Sequence, residues 1–218
     1  MGVSISQTPM FVMMSQDALP ANEQCMEHLL GMLEEPGVSA VTARQVARPE
    51  APAYEKEVRA WRYPDKTRIW NQHSLSELGL RAFLLSDVCA AYRRDAFDSV
   101  GGYTAPVPCN EDMLIAADFL SHGYSLAYCS EALVLHSHHY SFKQEFRRNM
   151  LIGRFLDTYS DRFAGCSDMS EGFAMLRTVT GKLMNKREFA DIFPFWLNCT
   201  ARYLGNRMGR LKSRKASS

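Results

Sequence analysis

The chain reads as an α/β layer followed by a helical C-terminal extension. Three observations carry that expectation. Strand-like and helix-like apolar patterns alternate between residues 10 and 135. Beyond His136 only helical periodicities remain. And 218 residues, 46% of them hydrophobic, suffice for one packed core with a small appended helical part.

Each element has its own signal. Met10 to Met14 is a short apolar run, read as a buried strand. After Pro20, the residues Met26, Leu29, Leu30 and Leu33 fall at i, i+3, i+4 and i+7, one face of an amphipathic helix that Pro36-Gly37 stops. Val38 to Val46 alternates loosely and reads as a second strand. Ala47 to Asn71 breaks the pattern with three prolines among charges and reads as a long irregular insert, a kind of loop that often carries function. Phe83 to Tyr92 reads as one strand or two short ones. Arg94 to Val100 is a short helix closed by Gly101-Gly102. Asn110 is placed to cap a helix starting at Glu111, with Met113, Ala116, Ala117 and Leu120 as its buried face and Gly123 as its end. Tyr124 to Cys129 and Ala132 to Leu135 read as two short strands. Ser141 with Gln144 forms a capping-box start to a helix running past Phe155. Two further helices are expected over roughly 169–184 and 187–208.

Charge and cysteine content exclude several classes. Lysine plus arginine number 25 against 24 acids, so nothing points to nucleic acid. The balance is uneven, however. No acid follows Asp191, whereas Arg202, Arg207, Arg210, Lys212, Arg214 and Lys215 do. Such a tail suits an anionic membrane surface; the plain alternative is a solvated terminus. The six cysteines, at 25, 89, 109, 129, 166 and 199, are scattered without a C-x-x-C pair. They read as buried thiols of a reducing compartment. No run approaches the length of a membrane span, and the first residues lack the basic start and apolar run of a signal peptide. A cytoplasmic protein, in reach of the inner face of the plasma membrane, is the expectation.

Three short motifs carry chemistry: Ser15-Gln16-Asp17-Ala18 after the first strand, Asn110-Glu111-Asp112 at a helix start, and His136-Ser137-His138-His139 after the last strand. Singly, each has an ordinary structural explanation: a turn, a helix cap favoured by the dipole, a hydrogen-bonded histidine. Together they fit one chemistry. A carboxylate and an imidazole at two strand ends, Asp17 and His136, offer oxygen and imidazole donors suited to Mg2+ or Mn2+. A carboxylate at the helix start, Asp112 with Glu111 beside it, can take a proton from a hydroxyl nucleophile. Metal and base are what sugar transfer from a nucleotide diphosphate requires.

The blocks "SQDALP", "ARQVARPEAPAYE", "RYP", "LLSDVCAAYRRDAFDSVGGY", "NEDMLIAADFLSHGYSLAYCSEALVLHSHHYS" and "RYLGNRMGRL" resemble, in order and over most of the chain, the rhamnosyltransferase-like branch of glycosyltransferase family 2. That resemblance implies an inverting enzyme with a GT-A (Rossmann-like) mixed sheet. It implies a nucleotide-diphosphate sugar donor such as dTDP-rhamnose and a surface-polysaccharide acceptor. It sets Asp17 where the family's metal- and diphosphate-contacting acid stands and Asp112 where its catalytic base stands. His136 and His138 match a further metal or diphosphate contact. Arg44, Gln45, Arg93 and Arg94 fall near the expected donor and acceptor cleft, with salt-bridging inside the domain as the alternative for the arginines. Two departures accompany it. Asp87 stands where the family usually has Asn, and the "QDA" strand comes without the preceding strand-helix units that hold the donor nucleotide. The implied organisation is residues 1–157 as the C-terminal portion of a GT-A domain and 158–218 as a helical extension with a basic tail. The rival readings are a non-catalytic remnant or a subunit completed by a separate N-terminal half, and a small metal-dependent hydrolase.

Overall fold

The computed structural model describes residues 7–138, 140–163 and 169–216, without the side chains of 169, 170 and 214–216. His139 and Cys166, and the side chains of Arg214 and Lys215, lie outside the described residues. In chain order the elements are β1 (Met10–Met14), β2 (Leu19–Pro20), α1 (Cys25–Gly31), β3 (Val38–Val46), α2 (Ala53–Arg62), β4 (Arg68–Trp70), α3 (Leu75–Leu78), β5 (Cys89–Arg93), α4 (Arg94–Ser99), α5 (Glu111–Ser121), β6 (Ser125–Leu135), α6 (Phe142–Thr158), α7 (Met169–Asn185) and α8 (Phe189–Ala216). They fall into two compact units.

The first unit holds the sheet, of order β1-β5-β3-β6-β2, with β4 also on β6. The sheet is mixed: β3 runs parallel to β6, while β5 is antiparallel to both β1 and β3. Alternation along the strands separates two apolar layers. Val41, Ala43, Cys89 and Ala91 pack with Leu29 and Leu33 of the α1 segment. Tyr92 points the other way, onto Phe119 of α5 at 6.3 Å between ring centroids. The helix α5 is buried more widely than its sequence stripe suggests, because Leu114, Ile115 and Phe119 are covered as well. Asn110 enters it with a left-handed φ of 60°, which asparagine tolerates, rather than with the extended backbone usual at a cap.

Two expectations change here. The two short strands after Tyr124 are one strand, β6, whose register against β3 shifts between Ala43 and Arg44; the irregularity made one strand look like two. Of Phe83 to Tyr92, only the part from Cys89 is strand, and residues 79–83 form a 3-10 turn.

The second unit is helical. The segment expected to be an irregular insert contains α2 in its first half and, in the first unit, β4 in its second. Pro52 directly precedes α2, where a fixed φ suits a helix start. Tyr54, Val58 and Trp61, at i, i+4 and i+7, pack with Val179, Leu183 and Phe195 of α7 and α8. The prolines and charges around them hid that periodicity. The capping box of α6 forms as expected, with Ser141 and Gln144 bonding each other's backbone N–H. The helices α6 and α8 approach so closely that a Cβ at Gly153 would collide with the Asn206 carbonyl, one at Gly205 with that of Phe146, and one at Gly209 with that of Met150.

Candidate active site

The parallel pair β3 and β6 end at the same edge of the sheet as β1. Asp17 sits in the turn that leaves β1, held by Ser15 Oγ donating to Asp17 Oδ1 at 2.7 Å. The chain then pairs at once with the end of β6, Leu19 opposite Leu135. This two-residue strand draws the turn toward His136, the first residue past β6. Asp17 Oδ2 lies 3.7 Å from His136 Nε2.

His136 is buried, with 5% of its surface exposed, and its ring is oriented from behind. Gln45 of β3 donates through Nε2 to Ser86 Oγ at 2.9 Å. Its carbonyl Oε1 therefore faces His136 Nδ1, 3.0 Å away. That pairing fits a proton on Nδ1, which leaves the Nε2 lone pair toward Asp17. A lone pair aimed at a carboxylate is repulsive unless a cation or proton lies between them. Two ligand bonds of about 2.1 Å span at most about 4.2 Å, so the 3.7 Å gap admits one Mg2+ or Mn2+. An oxygen donor beside an imidazole oriented by a second residue is a donor set that suits such an ion. His138 follows two residues later, in the second unit, where its ring stacks on Tyr140 at 4.8 Å.

The base candidate lies at the same edge. Asp112 Oδ1 accepts the Met113 N–H at 2.9 Å, and the carboxyl also accepts the backbone N–H of Asp87. Burial, and then the neighbouring charges of Asp87 and Glu111, push its pKa from 3.8 up to about 7. Glu111 beside it is exposed. Asp87 itself accepts hydrogen bonds from the hydroxyls of Tyr92 and, at 2.8 Å, Tyr103. Burial raises its pKa while these two bonds oppose the rise.

Three consecutive residues thus join the pieces. Ser86 receives Gln45 behind His136. Asp87 reaches Asp112. The Val88 carbonyl accepts the Ser15 N–H at 3.1 Å, at the base of the Asp17 turn. In the sequence Asp87 stands out only as a departure from a family pattern, and Ser86, Tyr92 and Tyr103 do not stand out. Their one sequence signal is an acid directly before an apolar strand.

The four residues expected in a substrate cleft separate. Gln45 belongs to the histidine network. Arg44, on the opposite side of β3 by alternation, pairs with Asp65 at 2.6 Å. Arg93 and Arg94 lie at the other end of the sheet, since Arg93 is opposite Met10 while Cys89 is opposite Met14. That is roughly 13 Å from the edge where Asp17 and His136 meet, at about 3.3 Å per residue. There Arg93 pairs with Asp95, and Arg94 covers the Phe11 ring at 4.5 Å. The antiparallel direction of β5 puts them there, which a one-dimensional reading does not reveal.

Comparison with known proteins finds similar glycosyltransferases. The chain is 31% identical over 215 residues to the O-antigen chain rhamnosyltransferase WbaN of Salmonella anatum, covering 95% of this chain and 66% of that protein. It resembles a rhamnosyltransferase. It is also 30% identical over 207 residues to the O-antigen chain rhamnosyltransferase RfbN of Salmonella typhimurium, covering 91% of this chain and 63% of the relative. The chain thus spans just under two thirds of the length of these curated relatives. The fold is that of a solved mannosyltransferase, PcManGT from Pyrobaculum calidifontis in complex with GDP-Man and Mn2+. The TM-score is 0.59 at 14% identity, over 100% of this chain and 65% of the other. No protein-family model matches the sequence.

Proposed function

We propose that this rhamnosyltransferase-like chain carries the catalytic edge of an inverting, metal-dependent glycosyltransferase of family 2. The reaction moves L-rhamnose from a nucleotide diphosphate, of the dTDP-rhamnose kind, to a hydroxyl of a surface-polysaccharide acceptor. The observation that carries this reading is the convergence of Asp17, His136 and Asp112 through Ser86, Asp87 and Val88. The names of the two rhamnosyltransferase relatives support the choice of sugar.

In this reading Asp17 and His136 of the first unit hold Mg2+ or Mn2+, and His138 is the further ligand that the family resemblance implies. A bound cation supplies charge neutralisation for the departing diphosphate. Gln45 fixes the His136 tautomer. Asp112 accepts the proton of the acceptor hydroxyl, and a pKa of about 7 suits a base working near neutral pH. Glu111 is the neighbouring second acid.

The membrane surface is the proposed workplace. Phe189, Phe193, Trp196, Leu197, Leu204, Met208 and Leu211 of α8 are all exposed, Phe193 by 70%. At 100° per residue they form a stripe about 120° wide and about 33 Å long. Arg207 lies within the stripe and Arg210 and Lys212 beside it, with no acid after Asp191, which complements anionic lipid. No helix among the described residues is long and apolar enough to cross a membrane.

The test is calorimetric titration of the chain with Mn2+ and dTDP, followed by a transfer assay from dTDP-rhamnose with and without an added N-terminal segment of a relative. Mn2+-dependent dTDP binding that Asp17→Ala weakens at least tenfold, with transfer in either arm, is the expected result. Binding equal in parent and variant would overturn the cation assignment.

A further inference from the structure

We infer that Asp87 is a positioning residue for Asp112: pinned by Tyr92 and Tyr103, it fixes where the Asp112 carboxyl sits and sets a second carboxyl beside it. The inference rests on the reading of Asp112 as the base and adds to it a role for the neighbouring carboxyl.

The geometry comes first. The two oxygens of Asp87 are both taken, Oδ1 by the Tyr92 hydroxyl and Oδ2 by the Tyr103 hydroxyl at 2.8 Å. The tyrosines cannot easily turn. Tyr92 is fully buried, stacks on Phe11 at 5.3 Å and meets Phe97 edge-on at 5.8 Å. Tyr103 meets Phe97 at 5.1 Å. The ring frame of the sheet's inner face thus ends in two hydroxyls that hold one carboxylate. From that fixed point the backbone N–H of Asp87 donates to Asp112.

The chemistry follows. Burial raises the pKa of Asp87, and the two hydroxyl donors oppose that rise by favouring its charged form. A charged Asp87 next to Asp112 disfavours a second negative charge, so Asp112 keeps its proton to higher pH. Glu111, on Asp112's own helix, acts in the same sense, and Tyr103 also couples to Asp112. Asp87 thereby contributes both contact and charge: its N–H orients the base, and its carboxylate raises the base's proton affinity.

The experiment is a carboxyl 13C NMR titration of the intact 218-residue chain, with the Asp112 signal assigned by its loss in Asp112→Asn. The parent midpoint for Asp112 is expected near 7. In Asp87→Asn, which keeps the side-chain shape, it should fall by about one pH unit or more. An unmoved midpoint would show that Asp87 only supports the fold. If that variant does not fold, the parent curve decides. Coupled carboxyls titrate in two steps, so an Asp112 curve with a second inflection at the Asp87 midpoint upholds the pair, and a single-step curve refutes it. Neither readout needs sugar transfer, so the base role of Asp112 stands or falls separately, on the activity of Asp112→Asn.

Discussion

At the scale of single residues, Asp112 and Gln45 give the sharpest expectations. In an active transferase, Asp112→Asn keeps size and helix-start contacts but cannot accept a proton; loss of a general base costs about 10²–10⁴ in rate, read as kcat with donor binding unchanged. The same residue affects stability. Its pKa rises from 3.8 unfolded to about 7 folded. Below the lower value it is protonated in both states; between the two, only the unfolded state loses the proton. Its stabilising contribution is therefore full at low pH and is lost as pH rises toward 7. Urea denaturation is expected to show the parent losing more stability than Asp112→Asn between pH 5 and 7.5. For Gln45, substitution by Leu removes the acceptor facing His136 Nδ1 while the proposed cation ligands Asp17 and His136 stay. Second-layer changes of this kind cost about 10–100-fold in metal affinity, measurable by Mn2+ electron paramagnetic resonance. An affinity equal to the parent's would mean that Gln45 does not orient the ligand.

At the scale of elements, α8 has two faces with opposite demands. One face carries Gly205 and Gly209 against α6, where any Cβ meets backbone. Gly205→Ala must therefore push the helices apart, and overpacking of this kind costs about 1–3 kcal/mol, seen as a lower urea midpoint. Gly181 in α7 is the contrast: nothing lies within 4 Å of its would-be Cβ, so Gly181→Ala should stabilise by about 0.5–1 kcal/mol. The other face of α8 is the apolar stripe. Phe193→Ser with Leu204→Ser alters two exposed side chains and should leave the urea midpoint nearly unchanged. Sedimentation with anionic vesicles should nevertheless fall, as it should with added salt for the parent. Binding that survives both changes would remove the stripe from the membrane reading.

At the scale of the whole molecule, local chemistry wrote most of the elements into the sequence. The runs Met10–Met14 and Val38–Val46 are strands with the bounds their apolar patterns suggest, because burial on a sheet selects the same residues that make the pattern. The Ser141–Gln144 box is a contact between near neighbours and was legible for that reason. Asp17, Asp112 and His136 were legible as candidates because strand ends and helix starts, where polar groups meet apolar runs, can be located in one dimension. What the sequence did not contain was direction and distance. The antiparallel course of β5 carries Arg93 and Arg94 away from the edge where Asp17 and His136 meet. The register shift beside Arg44 merges two expected strands into β6. The helix α2 emerged from a proline-rich stretch because Tyr54, Val58 and Trp61 found Val179, Leu183 and Phe195 more than a hundred residues later. The bonds from Ser86, Asp87 and Val88 to Gln45, Asp112 and Ser15 likewise cross long stretches of chain. The sequence by itself determined which segments become strands and helices and which acids and histidines end them, since those depend on neighbours in the chain. Only the tertiary structure decided which of those ends share an edge, since strand direction and register are settled by burial and hydrogen bonding between segments far apart in sequence.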